Sequence, residues 1–236
     1  MARSPDDGAT MIKLHHLENS RSHRVLWLLE ELGLQYQVVR YRRDPETLLA
    51  PPELRQVHPL GKSPVLEEDG LVLAESGAII EYLVEKHDQA HRLSPPPGPA
   101  DDSERQRYRQ WLHYAEGSMM PPLLLSLVFA RVKQAPMPFF AKPVARGIAD
   151  RTLKAFVRPQ VKLHMDYVEA ELGKHAWFAG ERFTAADIQM SFPVEAAMTR
   201  GGVGGYPNLQ HFLDRIRARP AYQRAVEQGG GSAPLR

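Results

Sequence analysis

Asn19, Ser20, Arg21, Ser22 and Arg24 set hydroxyls, an amide and two cations at the start of an apolar-periodic stretch, Val25–Leu32. Val25, Leu28, Leu29 and Leu32 fall at i, i+3, i+4 and i+7, which predicts a helix with one buried stripe, stopped by Gly33. Small donors and cations at a helix N-terminus favour an anion, and such a place lowers a thiol pKa from ~8.5 to between ~3.5 and 7.5. The simpler reading is that Ser20 or Asn19 only caps the helix. The chain has no cysteine at all, so any thiol activated here must arrive on a ligand. The same fact excludes disulfide scaffolding, cysteine-ligated metal and catalysis by a protein thiol.

A second polar set lies in His58–Leu83, HPLGKSPVLEEDGLVLAESGAIIEYL. Pro64 stands directly before a short apolar run, where an X-Pro bond can be cis in a tight turn. Val65-Leu66 and Leu71–Leu73 are joined through Asp69-Gly70, a strong hairpin signal. Ile79, Ile80, Leu83 and Val84 then recur at helical spacing, behind Glu75 and Ser76 at a helix start. That start is suited to a charged small molecule.

The elements that must position these residues follow from the chain in order. Residues 1–10 read as a loose extension. Met11–Leu17 reads as a strand that sends His15 and His16 to opposite faces. Tyr36–Arg42 reads as a second strand, parallel to the first by a right-handed crossover. A loop with an irregular helix near Glu53–Val57 precedes the hairpin. His87 and His91 stand four apart, but the expectation is a helix end that favours cations rather than a metal site. The prolines of Ser94–Asp102, SPPPGPADD, make a stiff linker.

Residues 11–88 therefore read as βαβαββα, a thioredoxin-like α/β domain, followed by a Pro-rich linker (89–103), an all-α helical domain (104–228) and a tail (229–236). In the helical part, Met119–Leu125 predicts a break and restart of one long helix. A soft Met/Leu region there could line an adaptable apolar pocket. Thr184 and Asp187 of FTAADI read as a reciprocal capping box. Leu209, Phe212, Leu213 and Ile216 form the last clear helix, with Pro220 behind it.

KSPVL followed by AESGAII resembles the glutathione-site signature of soluble glutathione transferases, and NSRSHRVLWLLEELGL with HPLGKSPVLEEDG is similar to the bacterial and fungal branch of that family. The resemblance covers about residues 11–228. It implies a serine-type site in which Ser20, four residues before Arg24, donates a hydrogen bond to the glutathione thiolate, with Arg21 assisting. Asn19 and Ser22 are neighbours able to share or take that role. It further implies that Ser63 offers its backbone to the cysteinyl unit and that a cis Pro64 fixes this geometry. Glu75 and Ser76 would hold the γ-glutamyl end, and Lys62 would stand near the glycyl carboxylate. Tyr114, Met119 and Met120 are placed in an apolar second-substrate pocket.

Glutathione is thus expected as co-substrate, without a metal, and a small apolar electrophile as its partner. Glutathione-dependent peroxidase activity and a non-catalytic binding or regulatory module are the alternatives. The family also implies a homodimer. With 43% hydrophobic and 25% charged residues and a net charge of +2, the chain is an ordinary globular protein with no case for nucleic acid. The sequence shows no membrane-length apolar run and no apolar signal core, so a cytoplasmic location is expected.

Overall fold

The computed structural model describes residues 11–99, 101–201 and 205–230. The expected extension at 1–10 and most of the expected tail lie outside them. The chain divides into two compact units, Leu93–Ile216 and the flanking remainder, 1–92 with 217–236.

The first unit is built as β1 (Ile12–Leu17), α1 (Ser22–Leu32), β2 (Tyr36–Tyr41), α2 (Leu54–Val57), β3 (Val65–Glu68), β4 (Leu71–Ala74) and α3 (Ser76–His87). Its sheet runs β2-β1-β3-β4, with β1 parallel to β2 and the hairpin strands antiparallel. Leu14 faces Val38 and Leu66 in register, inside the apolar core made with Val25, Leu28, Leu29, Ile79 and Ile80. Asp69 and Gly70 both take positive φ, 52° and 80°, which matches the twist of a two-residue hairpin turn. Gly33 at φ 68° closes α1, its N–H returning to the Leu29 and Glu30 carbonyls.

Two features depart from the sequence reading. Every residue from Ser22 to Leu29 is buried, not a single stripe. The cause is α10 (Pro220–Gln228), a helix the sequence reading ended before, whose Ala221, Tyr222 and Ala225 are buried against α1. The Tyr222 ring stands edge-on, 5.1 Å from both Trp27 and His23. Arg219 and Arg224 pair with Glu31 and Glu30 at 2.6 Å. The segment from 217 onward therefore groups with the α/β unit, whereas the sequence placed the helical domain at 104–228. Pro220, which follows the last helix the sequence showed clearly, opens α10 near its first position, where a missing N–H costs nothing.

The second unit contains α4 (Ser103–Tyr114), α5 (Met120–Gln134), α6 (Lys142–Thr152), α7 (Arg158–Lys174), α8 (Ala185–Gly201) and α9 (Pro207–Arg217). Asp102 caps α4, accepting from the Glu104 and Arg105 amides. The expected break is a π-helical turn at Ala115–Met119, after which Pro121 and Pro122 open α5. Trp111, fully buried, anchors this core against Tyr114, Tyr167 and Phe178. The capping box before α8 is one-sided. Asp187 accepts from the Thr184 amide at 2.8 Å, but the Thr184 hydroxyl donates to the same carboxylate instead of capping. Among the described residues, no helix is long and apolar enough to cross a membrane.

Candidate active site

The site is built where β1 ends and α1 begins. Asn19 turns the chain at φ 49°, exposed, and its carbonyl accepts from Arg43 Nη2 at 3.1 Å. Arg21 stands at the start of α1 already in a helical conformation and gives no side-chain cap; the hydroxyl that caps this start is that of Ser20, through the Ser22 amide. Ser20, 7% exposed, accepts from the Ser22 amide at 3.2 Å, and its Oγ lies 2.8 Å from Ser22 Oγ. Ser22 is fully buried; its Oγ is 2.8 Å from His16 Nδ1 and 3.2 Å from the Leu17 carbonyl. Burial lowers the His16 pKa and keeps the imidazole neutral, with Arg40 acting in the same direction.

His15 goes to the opposite face of the strand, as period two requires. There its Nδ1 meets Tyr41 Oη at 2.8 Å and its Nε2 meets Glu67 at 2.5 Å, a cross-strand polar ladder. Neighbouring His23 carries Nε2 buried without a hydrogen-bond partner among the described residues, and burial pushes its pKa down to about 3.

The second polar set is held beside the first by hydrogen bonds. Ser63 is half-buried, and the Ser63–Pro64 bond is cis. The Ser63 hydroxyl donates to the His15 carbonyl at 2.8 Å and accepts from the Leu17 amide at 3.1 Å, sewing the loop to β1. Its side chain is thus spent on the fold, which leaves the backbone as the part able to meet a ligand. Lys62 is exposed beside it. Glu75 is exposed with φ 74°, a region costly for a side-chain-bearing residue and concentrated at functional sites. Ser76 is buried, and its Oγ accepts from Arg24 Nη1 at 3.2 Å. Arg24 on α1 therefore links the two helix starts directly.

A hydroxyl-bearing helix start, a cis-proline loop and a Glu-Ser helix start thus stand in one α/β unit. Residues 9–85 match the family model for the glutathione S-transferase N-terminal domain, and residues 128–220 match that for the C-terminal domain. The chain belongs to the glutathione S-transferase family. It is 38% identical over 227 residues to glutathione S-transferase 1 of Saccharomyces cerevisiae, covering 92% of this chain and 95% of that protein. It is 36% identical to glutathione S-transferase 3 of Schizosaccharomyces pombe, covering 92% of this chain and 88% of that protein. A crystal structure of a glutathione S-transferase from Actinobacillus pleuropneumoniae superposes with a TM-score of 0.76 at 37% identity, covering 93% of each chain.

In this glutathione S-transferase the structure brings Asn19, Ser20 and Arg21 to one turn, Lys62, Ser63 and Pro64 to a second, and Glu75 and Ser76 to a third, all in the α/β unit. Tyr114, Met119 and Met120 belong to the helical unit. Met119 and Met120 are buried, and the half-buried Tyr114 bonds His164 through its hydroxyl at 2.5 Å. A cavity of about 840 Å³ in that unit is bordered instead by Leu153, Val161, Met165, Arg146 and Arg158. Sequence reasoning passed over Arg24 as a bridge and His16 as a partner of Ser22. The alternation of β1 gave His16 its face, but nothing local showed what that face would meet.

Proposed function

We propose that this glutathione transferase ionises the glutathione thiol at Ser20 and delivers the thiolate to a small apolar electrophile. The observation that carries the reading is the Ser20 hydroxyl, packed on Ser22 at the N-terminus of α1, the helix whose Arg24 also braces Ser76. The reaction needs a donor aimed at sulfur and a positive local field, and a helix start supplies the field without a metal. Arg21, at the cap position, adds positive charge.

Glutathione would lie across the three turns. The Ser63 backbone meets the cysteinyl unit, Glu75 and Ser76 take the γ-glutamyl ammonium and carboxylate, and Lys62 neutralises the glycyl carboxylate. On the acceptor side, Tyr114 is the member of its trio with surface left to offer, while Met119 and Met120 support it from the core. The electrophile takes the thiolate lone pair in a new C–S bond as its leaving group departs with its own electron pair. We further infer a cytoplasmic homodimer, supported by the exposed apolar residues Leu124, Val128, Val144, Ile148 and Leu163 on three helices of the second unit.

Titration of thiolate absorbance in the glutathione complex tests the mechanism. The bound thiol is expected to ionise well below free glutathione, and Ser20→Ala is expected to raise that pKa and slow conjugation while most of the affinity persists. A bound thiol whose pKa does not move would reduce the protein to a binding module. If Arg21→Ala has the effect and Ser20→Ala does not, the donor is Arg21.

A further inference from the structure

We propose that the turn between α5 and α6 is a docking surface for anionic membranes, where Phe139 and Phe140 enter the lipid interface and the cations behind them hold lipid phosphates. The surface belongs to the helical unit and is independent of the Ser20 reading.

Phe139 and Phe140 are the most exposed large apolar residues among the described ones, at 84% and 70%. The Ala141 amide donates to the Pro138 carbonyl at 3.0 Å, which closes a tight turn with the two phenylalanines at its centre. Such central positions ordinarily carry Gly, Asn, Asp, Ser or Pro, residues that suit the backbone and water. Pro136 and Pro138 stiffen the approach, and Lys142 opens α6 directly behind. The two rings stand edge-on to each other, 5.7 Å apart, and neither is drawn into the core. An aromatic side chain hides about 150–250 Å² when buried. A scattered exposed apolar residue needs no partner, whereas an adjoining pair at the apex of a turn offers a contiguous patch.

The charge around the turn is one-sided. Residues 131–162 hold eight Lys or Arg and a single acid, Asp150, a net of +7 in a chain whose total is +2. The rest of the chain is therefore at −5, so an anionic surface attracts this end and repels the remainder. Lys133 pairs with Asp150 and Lys162 with Asp166, each at 2.6 Å. Arg131, Lys142, Arg146, Arg151, Lys154 and Arg158 are exposed and have no ion-pair partner among the described residues. Arg131 lies in the last turn of α5 and Lys142 at the start of α6, so cations flank the phenylalanines on both sides.

The order of the layers selects a bilayer. The rings form the apex and the cations stand behind them on α5 and α6, which matches hydrocarbon beneath a layer of phosphates. A nucleic acid carries its phosphates outermost and would meet the rings first. A second copy docked through the same turn would set +7 against +7. No helix of the described residues is long and apolar enough to cross a membrane, so the attachment is peripheral and reversible. Small apolar electrophiles partition into bilayers, and docking would place the enzyme beside its second substrate.

Sedimentation of the full chain with sucrose-loaded vesicles tests the surface. The protein is expected to bind mixed phosphatidylcholine–phosphatidylglycerol vesicles at low salt, to leave them at high salt, and to ignore pure phosphatidylcholine. Phe139→Ser with Phe140→Ser is expected to weaken binding ~tenfold or more through lost apolar burial. Lys142→Glu with Arg146→Glu is expected to weaken it ~fivefold or more for each cation reversed. Both double variants should keep the wild-type mass in light scattering and the conjugation rate with a water-soluble electrophile. Phe139→Trp should add an emission that shifts to the blue on anionic vesicles and is quenched by brominated lipid. Absence of binding to anionic vesicles overturns the proposal. So does a phenylalanine double variant that binds like the wild type, or a tryptophan that brominated lipid does not quench, since cations alone would then explain the attraction. A changed mass in that variant would make the turn a contact between copies instead. Tighter binding to duplex DNA than to vesicles, lost with the same two rings, would make it a nucleic-acid surface.

Discussion

Arg24 of α1 donates from Nη1 to the hydroxyl oxygen of Ser76, the first residue of α3, at 3.2 Å, and both residues are buried. The residues proposed for the two halves of one ligand, the thiol and the γ-glutamyl group, therefore stand on two helix starts joined by this bond. Replacing Arg24 with Met keeps the bulk and removes the bond. Since a hydrogen bond involving a charged group contributes ~1.5–3 kcal/mol, urea unfolding should show a loss of that order. KM for glutathione should rise more than kcat falls. A variant with wild-type stability and KM would mean that Arg24 merely fills space.

Glu75→Ala or Ser76→Ala should weaken glutathione by ~1.5–3 kcal/mol, roughly ten- to a hundred-fold, because each removes a bond to a charged ligand group. Calorimetry measures this directly. Ser76→Ala should also lose some stability, since its oxygen serves Arg24, whereas exposed Glu75 should not. Equal stability losses in the two variants would contradict that division.

His23 supplies a pH dependence. Its pKa is about 3 in the folded protein against 6.5 as an unperturbed imidazole, mainly because of burial. Between those values the unfolded chain binds the proton and the folded chain does not, so stability is complete above about 6.5 and falls as the solution is acidified. The slope is at most ~1.4 kcal/mol per pH unit. His23→Phe keeps an aromatic ring against Tyr222 and should flatten the decline in urea midpoint between neutral pH and pH ~4. An unchanged slope would assign the decline to other groups.

Asp187 is buried and serves two amides, those of Phe178 at 2.9 Å and Thr184 at 2.8 Å. Asp187→Ala would strand both donors, and a loss of about 2–4 kcal/mol is expected in chemical unfolding, with no change in the bound-thiol pKa. A thiol pKa that moved would tie this loop to the chemistry after all.

For the dimer, light scattering at micromolar concentration should give twice the 26.6 kDa of the chain. A mass of one chain would leave the exposed Val144 and Ile148 without the partner inferred for them.

Much of this was legible in the sequence wherever the signal was local. Apolar spacing placed α1 and α3, Asp69-Gly70 placed the hairpin turn, and the residue order around Pro64 and Glu75-Ser76 carried the family. The contacts that complete the site are not local. Arg24 meets Ser76 across 52 positions and Arg224 meets Glu30 across 194, and no periodicity records such a pairing. The same holds for the burial of α1 on all sides, since a helix shows the face it turns to its own sheet more clearly than a face covered by a segment far along the chain. Thr184 illustrates a different limit. A Thr with an Asp three residues on satisfies the pattern of a reciprocal cap, yet a hydroxyl that can donate to a carboxylate does so.

The packing of α10 on α1 gives the protein an order of assembly during its synthesis. The strand, the first helix and the cis-proline loop all leave the ribosome early, and with them every group expected to touch glutathione. The helix that covers α1 comes near the end, after the whole helical unit has been translated. A nascent chain would thus own the residues proposed to meet a peptide long before its first helix was covered, and that cover would be set only when α10 folded back onto α1.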